Sequence, residues 1–254
     1  MHRIDDLEGT VLRNTCVAPG SYLLALRLER PMATPEPGQF VMLRLYGADV
    51  FLRRPFSVYQ YGRGVLSILY KVAGKGTSAL SGFGRGEKLT VLGPLGNGFT
   101  LLPGHAPVLV AGGIGVAGIH LLWTRVKRRA AFFWGCATQS DMGLIGRIMP
   151  HAPHVSTMDG SFGCAGNVVD LLAQHIAEMK RPIQVFACGP EAMYVSLAAL
   201  LGGAGIPCQA LVEERMACGL GLCFGCVRKT LDKDEPYKRV CKEGPVFDLW
   251  RISL

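Results

Sequence analysis

APVLVAGGIGVAGIHLLWTRVKRR, residues 106–129 of a chain of 254 residues, is the stretch on which the fold turns. It closes a longer run, Leu89 to Thr124, that holds no Lys, Arg, Asp or Glu but three prolines and eight glycines. A membrane-spanning helix takes about 20 predominantly apolar residues in one piece. Here Gly112, Gly113, Gly115 and Gly118 break the apolar run in its middle, so no transmembrane segment is expected. The stretch reads instead as a buried strand over 107–112, a glycine turn and a helix over 115–129. Cations close that helix, where they suit its dipole.

Downstream of it the alternation continues. Strands are expected at 130–135, 154–158, 183–189 and 208–214, with helices at 167–180 and 191–202 between them. Such alternation implies a parallel α/β sheet. Upstream the pattern differs. Short strands are expected at 10–17, 22–29, 39–45, 56–61, 65–71 and 88–92, with turn signals such as "APGS", "PEPG" and "YGRG" between them, which suggests a small antiparallel barrel. The fold class is therefore mixed: a β-barrel domain over 1–102, an α/β domain over 103–212, and a small cysteine-rich segment over 213–254. That last segment has little periodicity and needs a staple such as a metal centre.

Composition is that of a globular protein, with 49% hydrophobic and 18% charged residues. The formal charge of +8 comes from scattered Lys and Arg with no finger, homeodomain or RNA-recognition signature, so no nucleic-acid partner is expected. A basic surface also attracts anionic cofactors or an acidic partner. The start "MHRIDDLEG" carries acids and no apolar core, unlike a secretory signal. The expected compartment is the reducing cytoplasm, where disulfides among nine cysteines do not persist. Cys16, Cys136, Cys164, Cys188 and Cys208 stand apart and read mostly as small buried hydrophobes.

Four motifs carry chemistry. Gly113, Gly115 and Gly118 form G-x-G-x-x-G between strand and helix, where glycine lets backbone N–H groups approach a pyrophosphate. Glycine turns at such junctions also occur without a ligand, and "WGCATQ" lacks the usual acid at the end of the second strand. "CGPEAM", Cys188 to Met193, forms a second turn at a strand's carboxyl end, where open α/β sheets bind ligands; it also reads simply as a helix start with proline and an acid. In "RRPFSVY", strict alternation turns Arg54 and Phe56 to one face and Ser57 to the other. "KGTS", Lys75 to Ser78, enters a short helix as a possible phosphate seat. Cys218, Cys223 and Cys226 follow C-x4-C-x2-C, and Cys241 comes after fourteen further residues. That is plant-type [2Fe–2S] spacing. Structural zinc is the main rival, although zinc more often uses two C-x2-C knuckles.

Taken in order, "RPFS", "KGT", "GPLGNGF", "GGIG" and "CGPEAM" resemble the ferredoxin–NADP reductase-like flavoproteins. With "EERMACGLGLCFGC" and "GPVF" the whole chain resembles the electron-transfer subunits of class B dihydroorotate dehydrogenases. The resemblance implies FAD held by Arg54, Pro55, Phe56 and Ser57, with Leu69, Tyr70 and Lys71 lining the flavin and Gly76 and Thr77 on its phosphates. It implies NAD(H) framed by Gly112, Gly113 and Gly115 and by Cys188, Gly189, Pro190 and Glu191. It implies a [2Fe–2S] cluster on Cys218, Cys223, Cys226 and Cys241, and a heterotetramer with an FMN-containing catalytic subunit that oxidises dihydroorotate. One departure is Ala117-Gly118 where relatives commonly carry a proline. Asp159, after the third sheet strand, would repel a 2′-phosphate and favours NADH. The same module also serves sulfite reductase, hydrogenase and ferredoxin–NADP transhydrogenase complexes, and a zinc-stapled nucleotide-binding regulator is the non-redox alternative.

Overall fold

The computed structural model describes residues 4–47, 49–151, 153–179 and 182–254. The first three residues of the N-terminal stretch, and Lys180 at the expected end of the helix starting at Asn167, lie outside the described residues.

The first strands are β1 (Asp5–Ala18), β2 (Ser21–Leu28), β3 (Phe40–Leu45), β4 (Arg54–Ser57), β5 (Gln60–Gly62), β6 (Val65–Lys71) and β7 (Lys88–Leu95), with helix α1 (Lys75–Ser81) before β7. They form one antiparallel sheet in the order β4-β3-β7-β1-β2-β6-β5. Its two edge strands are consecutive in the chain. At the link, Val58 N–H donates to the Gln39 carbonyl and Tyr59 N–H to that of Ser67, so the sheet curls round until its edges meet. The single strand expected over 56–61 is therefore two, because the chain changes partner from β3 to β6 at this corner. Leu7, Val11, Leu24, Leu26, Val41, Leu43, Leu66 and Ile68 fill the interior, and Leu80 of α1 joins them.

The charge-free stretch resolves into β8 (Ala106–Gly112), a 3-10 turn at Gly113–Gly115 and α2 (Val116–Val126). After it come β9 (Ala131–Cys136), β10 (His154–Thr157), β11 (Cys164–Ala165), α3 (Val168–Ile176), β12 (Ile183–Cys188), α4 (Glu191–Gly202) and β13 (Cys208–Leu211). The cysteine-rich end adds β14 (Val227–Lys229), β15 (Tyr237–Arg239) and β16 (Val246–Asp248). The second sheet runs β11-β10-β9-β8-β12-β13-β16. All its pairs are parallel except β13 with β16. Its pleat sorts the core: Val108, Val110, Phe133 and Val185 pack toward α3 and α4, while Leu109, Ala111, Phe132, Trp134 and Phe186 pack toward α2. No helix among the described residues is long and apolar enough to cross a membrane.

Candidate functional site

In this second sheet, strand order reverses between β8 and β12, and ligands of open α/β sheets sit at such a switch point. The two turns that flank it pack directly together. A side-chain carbon on Gly115 would lie 2.1 Å from the Cys188 carbonyl oxygen, so only glycine fits there. Trp134 Nε1 donates to the Gly113 carbonyl at 3.0 Å and pins the first turn. The buried Tyr194 hydroxyl donates to Leu211 O at 2.5 Å and accepts from Gly189 N at 3.1 Å, fixing the second turn to the end of β13.

Two clefts open over this junction. The larger, about 690 Å³, is lined by Gly112, Gly113, Gly115, Gly189 and Pro190 together with the ends of β9 and β10. The smaller, about 350 Å³, is lined by Pro55, Phe56, Ser57, Leu69, Tyr70 and Thr77, with Ala117 and Gly118 of α2 in its wall. Lys71, Ile114 and Glu213 line both, so the clefts meet there. Pro55, Phe56 and Ser57 all face the smaller cleft, where alternation would have separated them, because β4 is a four-residue edge strand with every residue half-buried.

Four of the expected residues, Arg54, Gly76, Cys188 and Glu191, lie off the cleft walls. Arg54 passes beneath Gly76, where a side chain on the glycine would lie 2.7 Å from Arg54 Nε, and its guanidinium donates to the Leu52 carbonyl at 2.8 Å. Cys188 is buried beneath the floor, and that burial raises its thiol pKa well above the ordinary value. Glu191 pairs with Arg228 at 2.5 Å, and Arg228 also pairs with Glu214 at 3.1 Å. The Thr77 hydroxyl accepts from Ala73 N and Gly74 N, closing the loop before α1. Glu213 is the residue that the sequence reading passed over. It is the sixth residue of "CQALVEE", just past the carboxyl end of β13, which is the signal that could have found it. Glu213 is exposed on the cleft wall, and desolvation by the protein around it raises its pKa.

The cysteine segment locks onto both domains. Asn97, in "GPLGNGF", takes its N–H to the Gly244 carbonyl at 2.6 Å, and its amide donates to the carbonyls of Lys242 and Glu243 at 3.2 and 3.0 Å. The chain then returns as β16 on the edge of the second sheet. Within the loop, Leu220 N, Gly225 N and Cys241 N each point at a cysteine sulfur, of Cys218, Cys223 and Cys226 respectively, at 3.4 Å. Burial pushes the Cys218 thiol up, but backbone N–H groups led by Leu220 aim at its sulfur and bring it down to about 6. Burial, with the Cys226 sulfur beside it, pushes Cys241 up to about 12. The four thus come as two pairs, Cys218 with Cys223 and Cys226 with Cys241. Among the described residues, no three His, Cys, Asp or Glu side chains form a ready grip for a single ion. Of the five separate cysteines, Cys136, Cys188 and Cys208 are buried as expected, whereas Cys16 and Cys164 are exposed.

A family model described as the iron–sulfur cluster binding domain of dihydroorotate dehydrogenase B matches residues 213–253. The electron transfer subunit of dihydroorotate dehydrogenase B (NAD(+)) from Caldanaerobacter subterraneus subsp. tengcongensis is 36% identical over 243 residues, covering 95% of this chain and 96% of that protein. The subunit of the same name from Desulforamulus reducens is 34% identical over 255 residues, covering 96% and 97%. The chain belongs to this family. As a dihydroorotate dehydrogenase B electron transfer subunit it is part of an oxidoreductase and works with a separate catalytic subunit. The fold has the same company. A chain of an NADH-dependent reduced ferredoxin–NADP oxidoreductase superposes with TM-score 0.84 at 22% identity, covering 96% of this chain and 89% of that one. A ferredoxin NADP+ reductase from Neisseria gonorrhoeae, solved with FAD and NADP, superposes with TM-score 0.66 at 18% identity, covering 79% and 92%.

Proposed function

We propose that the chain relays electrons between NAD(H) in the larger cleft, FAD in the smaller cleft and a [2Fe–2S] centre in the cysteine loop, to or from the FMN of its catalytic partner. The meeting of the two clefts at Lys71, Ile114 and Glu213 carries this reading. Ligands seated in them would stand end against end, and the loop begins at Cys218, five residues beyond Glu213. When bound, FAD splits the two electrons of a hydride into single steps that the iron–sulfur centre takes one at a time.

The chain's own residues would bind and orient. Phe56 and Tyr70, with ring centroids 5.7 Å apart, would flank the flavin. Leu69 and Lys71 would line it, with Pro55 beside them and Ser57 near its reactive edge. Arg54 would bring charge to the pyrophosphate over the Gly76-Thr77 turn. Gly112, Gly113 and Gly115 would carry the nicotinamide nucleotide's phosphates opposite Gly189 and Pro190, with Cys188 and Glu191 supporting that turn from outside the cleft. Cys218, Cys223, Cys226 and Cys241 would ligate the [2Fe–2S] centre. We divide the chain accordingly into an FAD domain over 1–102, an NAD domain over 103–212 and a cluster segment over 213–254. It would act in the cytoplasm as a heterotetramer, with physiological flow from dihydroorotate to NAD. The FMN barrel, about 250 residues in its own right, lies in the partner.

The test is the visible spectrum of the anaerobically purified chain before and after NADH. Flavin bands over a broad iron–sulfur envelope, both bleaching with NADH, support the relay. A colourless, zinc-containing protein after cofactor reconstitution overturns it.

A further inference from the structure

We infer that Asp141 reads the 2′-hydroxyl of the nucleotide's adenosine ribose and sets the preference for NAD(H) over NADP(H). This rests on the larger cleft being the dinucleotide site. Three charged residues line that cleft among the described residues: Lys71, Asp141 and Glu213. Lys71 and Glu213 also line the smaller cleft and mark the junction. Asp141 belongs to the larger cleft alone, with Cys136, Ala137 and Met158 at the ends of β9 and β10.

The end of β9 carries no acid of its own, and the 3-10 turn after it, Gln139–Ile145, delivers one. The turn is firmly held. Thr138 Oγ1 accepts from Ser140 N at 3.2 Å, and Asp141 N donates to Thr138 O at 3.1 Å. Gly143 is pressed against Val17 of β1, where a side-chain carbon would stand 1.6 Å from the carbonyl oxygen. The Asp141 carboxylate itself has no hydrogen bond or ion pair among the described residues.

Asp159, the acid singled out from the sequence, is differently employed. Its carboxylate accepts from Ser161 N at 3.0 Å and from Ser161 Oγ at 2.6 Å, and that hydroxyl accepts from Gln139 N at 2.7 Å. Asp159 thus braces the turn and is absent from the cleft wall, whereas Asp141 stands in it with its acceptor capacity free. A free carboxylate accepts a hydroxyl proton, and it repels a 2′-phosphate carrying about −1.5 to −2 charges.

The full chain with its cofactors, titrated calorimetrically with NAD+ and NADP+, decides the matter. Steady-state oxidation of NADH and NADPH with ferricyanide runs alongside. In D141N and D141S, NAD+ should bind about tenfold more weakly and the gap between the dinucleotides should narrow. In D159N both affinities should move together. A D141N protein that keeps the wild-type ratio, or a D159N protein that alone collapses it, overturns the assignment to Asp141. A wild-type chain that binds neither dinucleotide overturns the reading of the cleft, and the assignment falls with it.

Discussion

Glu213 stands where the two clefts meet, with Lys71 on the same wall, and makes no hydrogen bond or ion pair among the described residues. Its raised pKa means that the folded chain binds this proton more tightly than the unfolded one. The stability that the protonated group allows is complete below the unfolded pKa and is lost as pH rises through the folded value. Glu213→Gln should therefore melt above wild type at pH 8 and level with it at pH 4. Catalysis should respond in the opposite sense. We expect kcat/KM for NADH to fall about tenfold in this variant, the size of one lost charged hydrogen bond. The wild-type rate should decline as pH falls through the raised pKa, and Glu213→Gln should lack that limb; a variant with wild-type kcat/KM and pH profile removes Glu213 from the reaction. Residues of this kind were half legible. Pro55, Phe56 and Ser57 stood out as a motif, but their shared direction depends on β4 being a short edge strand.

At the scale of elements, the barrel and the α/β domain are joined along α2. The Tyr59 ring, at the corner between β4 and β5, stacks on His120 of α2 with centroids 3.7 Å apart and planes 14° from parallel. His120 Nδ1 lies 3.0 Å from the Tyr59 carbonyl. Burial pushes the imidazole down to about 4 despite that bond, with Arg147 adding to the effect. Unfolded, this histidine takes up a proton near pH 6.5, while in the seam it stays neutral until about pH 4. Stability should thus fall across that window as pH drops, by about 3 kcal/mol at its lower end. Urea unfolding at pH 7 and pH 4.5 measures the fall, and His120→Leu should flatten this part of the profile. If wild type and variant share one profile, the seam is not the source of acid sensitivity. The elements themselves were legible: α4 occupies the expected 191–202 and β6 the expected 65–71. α2 was placed too far at its C-terminal end, closing at Val126 where Lys127 caps it. The sequence supplies helix formers beyond that point but no packing partner.

Across the whole molecule, the cysteine loop is an exposed tip on an otherwise locked segment. Leu222 is 77% exposed and Phe224 60%, while Cys226 and Cys241 of the same segment are buried. Electrons leave only where a partner comes near, and an apolar tip over the thiols suits a docking subunit. Leu222→Asp should weaken assembly with the catalytic subunit about tenfold by calorimetry while the chain retains its iron; unaltered assembly places the docking surface elsewhere. The sequence by itself determined the strand and helix types, the glycine turns at strand ends and the C-x4-C-x2-C spacing of the cysteine loop. These depend on periodicity and spacing within a few residues, which is local information. Only the tertiary structure decided how the barrel closes, that "GPLGNGF" grips the backbone before "GPVF", and that β16 completes the second sheet. It alone brought Lys71, Ile114 and Glu213 to one junction and left Asp141, not Asp159, free in the cleft. Those contacts join residues far apart in the chain, and their partners are chosen by packing and backbone hydrogen bonds that no local pattern encodes.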